Sequence, residues 1–175
     1  NSTRHADGRD RALRAFRDYW ANPGYGDGGT PGIFSKVSHG DVDFFLLDTR
    51  GQRQMHDTRN PAKKGLSMLG TVQRKWLMRE LAASDADFHF VVSSVNFMIP
   101  HVGGGKIRAG DKDEAWTVFL DEREKLINFF DSLKRPVLML TGDLHNSFAI
   151  KITDKVWEFA SGPHNSNNHW ASDEG

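Results

Sequence analysis

The chain has 175 residues, enough for one domain with a sizeable core, and its 23 Lys and Arg residues balance its 23 Asp and Glu residues. This neutral balance gives no reason to expect a nucleic-acid or anionic-membrane partner. No apolar run approaches the ~18 residues of a membrane-spanning helix. Cys is absent, which excludes disulfides, thiolate metal sites and a Cys nucleophile within these residues.

The first part of the chain has the pattern of a helix followed by a β-hairpin. Apolar side chains recur on one side of residues 10–20, which predicts an amphipathic helix that ends at Asn22-Pro23-Gly24. A Gly-rich connection follows, and it lacks the strand–turn–helix context of a nucleotide-binding loop. Strands are predicted at 33–39 and 42–48, with a turn at Gly40-Asp41.

Amphipathic stretches alternate with short apolar runs through the remainder of the chain. The predicted helices are 71–83 and 119–133, and the predicted strands are 88–95, 137–141, 148–153 and 156–160. Thr71 is the expected N-cap of the first of these helices. Helices of crossover length between strands indicate a layered α/β fold with mixed strands.

The most informative segment begins at the apolar run Val137–Leu140, which suits a strand buried on both faces. Gly142, Asp143 and His145 follow it directly. Residues i and i+2 of an extended chain point the same way, so the carboxylate and the imidazole are expected to project together. An oxygen and a nitrogen ligand in this arrangement suit a divalent or trivalent metal. Alternatively, Asp143 caps a turn and His145 is an ordinary polar residue.

Two other predicted strands also end in polar residues. One of them ends in Asp48, with Arg50 just beyond, and these two residues form either a structural ion pair or a ligand orienter and an anion clamp. Asn96 follows the other, where it either contacts a phosphoryl oxygen or a ligand, or stabilises the turn before Phe97. Because α/β folds place their sites outside the carboxyl ends of the strands, three polar strand ends favour a genuine site.

Three histidines lie on predicted loops and are weaker candidates. A polar loop with a histidine is most often only solvated, so none of them is assigned a role from sequence alone. They are His101, His164 and His169.

Four segments, in this order, resemble the alkaline phosphatase D family of metallophosphoesterases. They are F-F-L-L-D-T-R-G-Q-R at 44–53, M-L-G-T-V-Q-R-K-W-L at 68–77, D-E-A-W at 113–116 followed by E-R-E-K-L at 122–126, and L-T-G-D-L-H at 140–145. The resemblance runs from about residue 9 to residue 163. D-E-A-W departs from the D-S-W more usual in the family.

The resemblance implies a fold and a location. The fold is a sandwich of two mixed β-sheets flanked by helices, of which residues 1–175 would be the C-terminal part of one catalytic domain. The family's earlier ligands, including a Cys and several carboxylates, would precede Asn1, so the rest of the same protein is the expected partner. The resemblance also implies a secreted or periplasmic location.

The resemblance further implies metal-dependent hydrolysis of phosphate monoesters and diesters, with a phosphate ester as substrate and iron and calcium as the metals. In this chain the implied metal ligands are Asp143 and His145. The implied catalytic residues are His145 and Arg50, and Arg50 is also an implied substrate-binding residue. The position of Asn96 at a strand end makes it the second candidate for substrate binding.

Two other functional classes remain open from the residues. The chain is alternatively a non-catalytic binding or structural fragment, or part of a metal hydrolase that acts on another class of substrate, because a fold does not fix its chemistry. Half of a sandwich would expose an apolar face and an unpaired sheet edge. We therefore expect the isolated chain to be neither stable nor active.

Overall fold

The computed structural model describes residues 8–27, 29–54, 65–100 and 115–165. The helices are Arg9–Tyr19 (α1), Gly70–Ala83 (α2) and Leu120–Ser132 (α3), and a short 3-10 helix spans Trp116–Val118. The strands are Ser35–His39 (β1), Val42–Leu46 (β2), Phe88–Val92 (β3), Val137–Thr141 (β4), Phe148–Lys151 (β5) and Val156–Ala160 (β6). Every predicted helix and strand is present, several with shorter ends, whereas the 3-10 helix was not predicted.

The strands form one six-stranded mixed sheet in the order β1-β2-β3-β4-β6-β5. The four central strands β2, β3, β4 and β6 are parallel, and β1 and β5 pair antiparallel at the two edges. Helices α2 and α3 lie in the crossovers that parallel strands require. The predicted α/β fold is confirmed, and the described residues contain one of the two sheets of the expected sandwich.

One face of the sheet carries the core of the protein. Alternate residues of the central strands, such as Phe45, Val91 and Met139, are almost fully buried in one cluster with residues of α2 and α3. Trp76 of α2 lies against Phe45, with 6.5 Å between their ring centroids. Each large apolar side chain that is buried in this way contributes about 1.5–3 kcal/mol.

The other face of the sheet is also apolar but remains partly exposed. Phe44 stacks on Phe90 with 5.2 Å between ring centroids, and Trp157 stacks on Phe159 with 6.1 Å. Phe88 and Phe159 keep 50% and 40% of their surface exposed. Among the described residues, no helix has both the length and the hydropathy for crossing a membrane.

The start of α2 differs from its prediction. The helix begins at Gly70 with Leu69 at the N-cap position, so the assignment of Thr71 as N-cap is wrong. The hydroxyl of Ser67 accepts the N–H of Gly70 (2.8 Å). Glu122 of α3 accepts the N–H groups of Met68 (2.6 Å) and Leu69 (3.2 Å). A carboxylate that is distant in the sequence therefore holds the backbone just before the helix.

A buried polar cluster lies where β2 and β3 begin. Asp43 accepts hydrogen bonds from Lys36 (2.8 Å), Ser38 (2.5 Å) and Ser84, and the Ser84 hydroxyl lies 3.0 Å from Nε2 of His89. Burial alone would raise the pKa of Asp43, but these hydrogen bonds outweigh it and leave the pKa below its usual value. Burial lowers the pKa of His89. The cluster is at the opposite end of the strands from the candidate site.

Candidate functional site

The carboxyl ends of the parallel strands lie side by side at one end of the sheet. Backbone hydrogen bonds continue the pairing just beyond the strands: Leu47 donates to Val92 (2.9 Å), Ser93 donates to Leu140 (2.9 Å), and Ser161 donates to Thr141 (3.1 Å). The hydroxyl groups of Thr49 and Ser94 also hydrogen bond. The structure thus brings the three polar strand ends of the sequence analysis to one end of the sheet.

Asp48 holds the turn that carries Arg50. Its buried carboxylate accepts the N–H groups of Arg50 (3.0 Å), Gly51 (2.6 Å) and Ile33 (3.2 Å). A Cβ atom at residue 51 would lie 2.3 Å from this carboxylate, so glycine is required there. Asp48 therefore has a structural role, and it fixes the direction in which the chain leaves β2. Arg50 itself is partly exposed.

Asn96 is completely buried at the end of β3. Neither Oδ1 nor Nδ2 of its side chain has a hydrogen-bond partner within the part of the chain that the structure describes. Its turn is held by Ser93, whose hydroxyl donates to the carbonyl of Val95 (2.6 Å) and accepts from Nε1 of Trp116 (3.2 Å). The alternative in which the Asn96 side chain stabilises this turn is therefore not supported.

An unpaired buried amide needs an explanation. Burying such a group without a hydrogen bond costs about 1–3 kcal/mol in proteins. A ligand that binds at the strand ends would supply the missing partner. Asn96 is one of the described residues whose buried polar atoms have no partner, and it is the one among them that the sequence analysis named as a site candidate.

The segment that carries Asp143 and His145 is bent. The structure replaces the extended geometry of the prediction with a bend over residues 143–146, and Asp143 has a φ of +78°. Asp is one of the few residues that tolerate this left-handed conformation. Asp143 is exposed and His145 is partly exposed, while Leu144 between them is only 2% exposed. The buried leucine anchors the bend, and both candidate ligands stay accessible.

Glu158 connects two of these strand ends, and sequence reasoning missed it. This β6 residue is completely buried. Its Oε1 atom accepts the N–H of Phe97 (2.6 Å) and the hydroxyl of Thr141 (2.7 Å), and its Oε2 atom accepts the N–H of Met98 (2.9 Å). The sequence signal was a single charged residue within an otherwise apolar strand, V-W-E-F-A.

The donors at the strand ends suit a metal only in part. A carboxylate, an imidazole and an amide oxygen are appropriate ligands for a divalent or trivalent ion, and the unpaired amide of Asn96 agrees with such an ion. Within the described residues, Asp143 and His145 do not belong to any group of three or more His, Asp or Glu side chains that could hold a metal. Of the weaker histidine candidates, His164 is exposed just after β6, and His101 and His169 lie outside the described residues.

Comparisons with known proteins identify relatives of this chain. A family model described as PhoD-like phosphatase matches residues 1–174. Alkaline phosphatase D of Bacillus subtilis (strain 168) is 28% identical over 130 residues, which cover 67% of this chain and 22% of that protein. A solved structure of PhoD superposes with a TM-score of 0.67 at 23% identity, covering 88% of this chain and 33% of that one. The chain thus spans a minor part of the length of both relatives.

Proposed function

Because this chain belongs to the PhoD-like phosphatase family, we propose that it is the C-terminal part of a catalytic domain that hydrolyses phosphate monoesters and diesters with bound metal ions. The observation that supports this most strongly is the buried, unpaired amide of Asn96, which lies at the same end of the sheet as Asp143 and His145. Phosphate esters and metal ions are the kinds of ligand that such donors recognise.

In this proposal, Asp143 and His145 hold a metal ion. The family resemblance suggests iron and calcium. Such an ion, when bound, supplies Lewis-acid polarisation of a phosphoryl oxygen and lowers the pKa of water. His145 acts in catalysis by holding this ion in place. The bend anchored by Leu144 keeps both side chains accessible at the end of the sheet.

Two residues contact the substrate in this proposal. Arg50 neutralises charge on the phosphoryl group, because its planar guanidinium can donate two parallel hydrogen bonds to one oxyanion. The Asp48 turn fixes the backbone at Arg50 and so restricts where this side chain can reach. The side chain of Asn96 donates to a phosphoryl oxygen or orients a ligand.

We also propose that residues outside this chain complete the site. The aligned parts amount to 22% and 33% of the two relatives, so most of the length of each has no counterpart here. The partly exposed apolar face of the sheet fits a further layer from the same protein. A secreted or periplasmic location belongs to the same proposal, and only the family resemblance supports it.

The test is turnover by the complete protein against p-nitrophenyl phosphate, bis-p-nitrophenyl phosphate and p-nitrophenyl acetate, with metal analysis of the same sample. We expect hydrolysis of the phosphate esters and bound metal. Hydrolysis of the acetate alone would instead indicate another class of substrate. A metal-free protein that is inactive on all three would indicate a binding or structural role.

Two substitutions in the complete protein test the assigned residues. His145→Ala should abolish most turnover and reduce the metal content but leave the fold intact, because a partly exposed side chain contributes little packing. Arg50→Lys keeps the charge but loses the bidentate geometry, so it should weaken substrate handling more than metal binding. Full activity and full metal occupancy in His145→Ala would contradict the proposal.

A further inference from the structure

We propose that Glu158 is a positioning residue that fixes the turns carrying Asn96 and Asp143 relative to each other. This inference rests on the proposed function. Glu158 makes no contact with the reacting groups in this scheme and acts through two backbone N–H groups and the hydroxyl of Thr141. Its role is to hold one end of β3 and one end of β4 in a single arrangement.

The hydrogen bonds of Glu158 reach both turns at their bases. Phe97, whose N–H is 2.6 Å from Oε1, is the residue immediately after Asn96. Thr141, whose hydroxyl is 2.7 Å from the same oxygen, is the last residue of β4 and precedes Asp143 by two positions. One carboxylate oxygen therefore joins both turns. If one turn moved relative to the other, at least one of these two hydrogen bonds would lengthen.

Packing alone does not explain why a glutamate occupies position 158. It lies between Val156 and Ala160 on the buried face of β6, where an apolar side chain would meet no desolvation cost. A buried carboxylate is costly unless hydrogen bonds satisfy it. Glu158 has three such bonds, and all of them go to the two strand-end segments. The buried carboxylate therefore serves to fix the position of these segments.

Glu122 provides a natural comparison. It is 2% exposed, and it also accepts two consecutive backbone N–H groups, those of Met68 and Leu69, and one hydroxyl, that of Ser67 (2.7 Å). These residues precede α2 and contain none of the proposed ligands or substrate contacts. Glu122 also pairs with Arg74 (2.8 Å). The backbone and hydroxyl bonds of Glu122 and Glu158 are thus similar, but only those of Glu158 hold the candidate site.

The experiment compares Glu158→Gln with Glu122→Gln in the complete protein. In Glu158→Gln, the NH2 group faces a backbone donor whichever oxygen it replaces. Glu122→Gln loses the charge that pairs with Arg74. Both variants should therefore lose stability in urea unfolding. Glu158→Gln should also lower kcat or the metal affinity by about 10–100-fold, the range found for residues that orient metal ligands. Glu122→Gln should keep the kcat and the metal affinity of the wild-type protein when both are folded.

Thr141→Val provides a second variant in case Glu158→Gln does not fold. It keeps the β-branched shape of the residue and removes the hydroxyl that donates a hydrogen bond to Glu158. We therefore expect kcat to fall, but by less than in Glu158→Gln. Wild-type kcat and metal affinity in folded Glu158→Gln, or in Thr141→Val when Glu158→Gln does not fold, would overturn the inference while leaving the proposed function intact. A wild-type protein that hydrolyses no phosphate ester would overturn both.

Discussion

Replacing Asn96 with alanine should stabilise the metal-free protein and inactivate the enzyme. The side-chain amide is fully buried without a hydrogen-bond partner among the described residues, so removing it recovers about 1–3 kcal/mol of desolvation cost. The space left behind is roughly that of one water molecule, about 30 Å³. At about 24 cal/mol per Å³, this cavity costs about 0.7 kcal/mol. We therefore expect a net gain of about 0.5–2 kcal/mol in the free energy of unfolding.

Urea unfolding of the complete, metal-free protein measures this change, and turnover of a phosphate ester measures the functional loss. Ser93→Ala is the matched control from the same turn. The Ser93 hydroxyl donates a hydrogen bond to the carbonyl of Val95 and accepts one from the indole N–H of Trp116. Its removal therefore leaves these buried groups unpaired. That variant should lose about 1–3 kcal/mol of stability.

The opposite result for Asn96→Ala would refute this reasoning. A loss of about 1 kcal/mol or more, as expected for a side chain that stabilises its turn, would show that the amide has a structural partner. Wild-type turnover in Asn96→Ala would remove the residue from the proposed substrate contacts.

Further predictions concern the other turns and the buried cluster. Asp143→Gly should keep or raise the stability of the metal-free protein in urea, because glycine adopts a φ of +78° freely. The same variant should abolish turnover. A loss of about 0.5–2 kcal/mol of stability would instead identify Asp143 as a turn cap. Gly51→Ala should lower the free energy of unfolding by about 1–3 kcal/mol, because the new Cβ atom clashes with Asp48. The Cβ atom of Gly142→Ala meets no atom within 4 Å, so this variant should have near wild-type stability in the same assay. His89 has a pKa below 6.5 in the folded state, so the unfolded state binds more protons as the pH falls through 6.5. Stability should therefore decrease below that pH, and urea unfolding at several pH values should show a shallower decrease in His89→Gln.

The sequence predicted those parts of the fold that depend on local pattern. The run Val137–Leu140 forms a strand because consecutive apolar residues suit the centre of a parallel sheet, where here one face is buried and the other is partly buried. The turn at Gly40 joins β1 and β2 because glycine accepts a φ of +57° between two strands. Such features require only neighbours in the sequence.

The features that the sequence did not predict depend on distant partners. Thr71 has the chemistry of an N-cap, but Glu122 satisfies the backbone just before α2 from about fifty residues away. The bend at Asp143 could not be inferred from i and i+2 spacing, because burial of Leu144 competes with an extended chain. Glu158 is conspicuous in its strand, but its donors belong to turns that only the assembled sheet brings near it.

The strand order of the sheet has a consequence for how the protein is assembled during synthesis. β1, β2, β3 and β4 pair in the order in which they leave the ribosome, so each new strand can add to an existing edge. In the described sheet β5 pairs with β6 alone, so both strands join it only when the last hairpin is complete and β6 pairs with β4. Because Glu158 arrives with that hairpin, the turns at Asn96 and Asp143 obtain their shared acceptor in the last step. A nascent chain that stops before residue 156 would have most of the sheet but no fixed site.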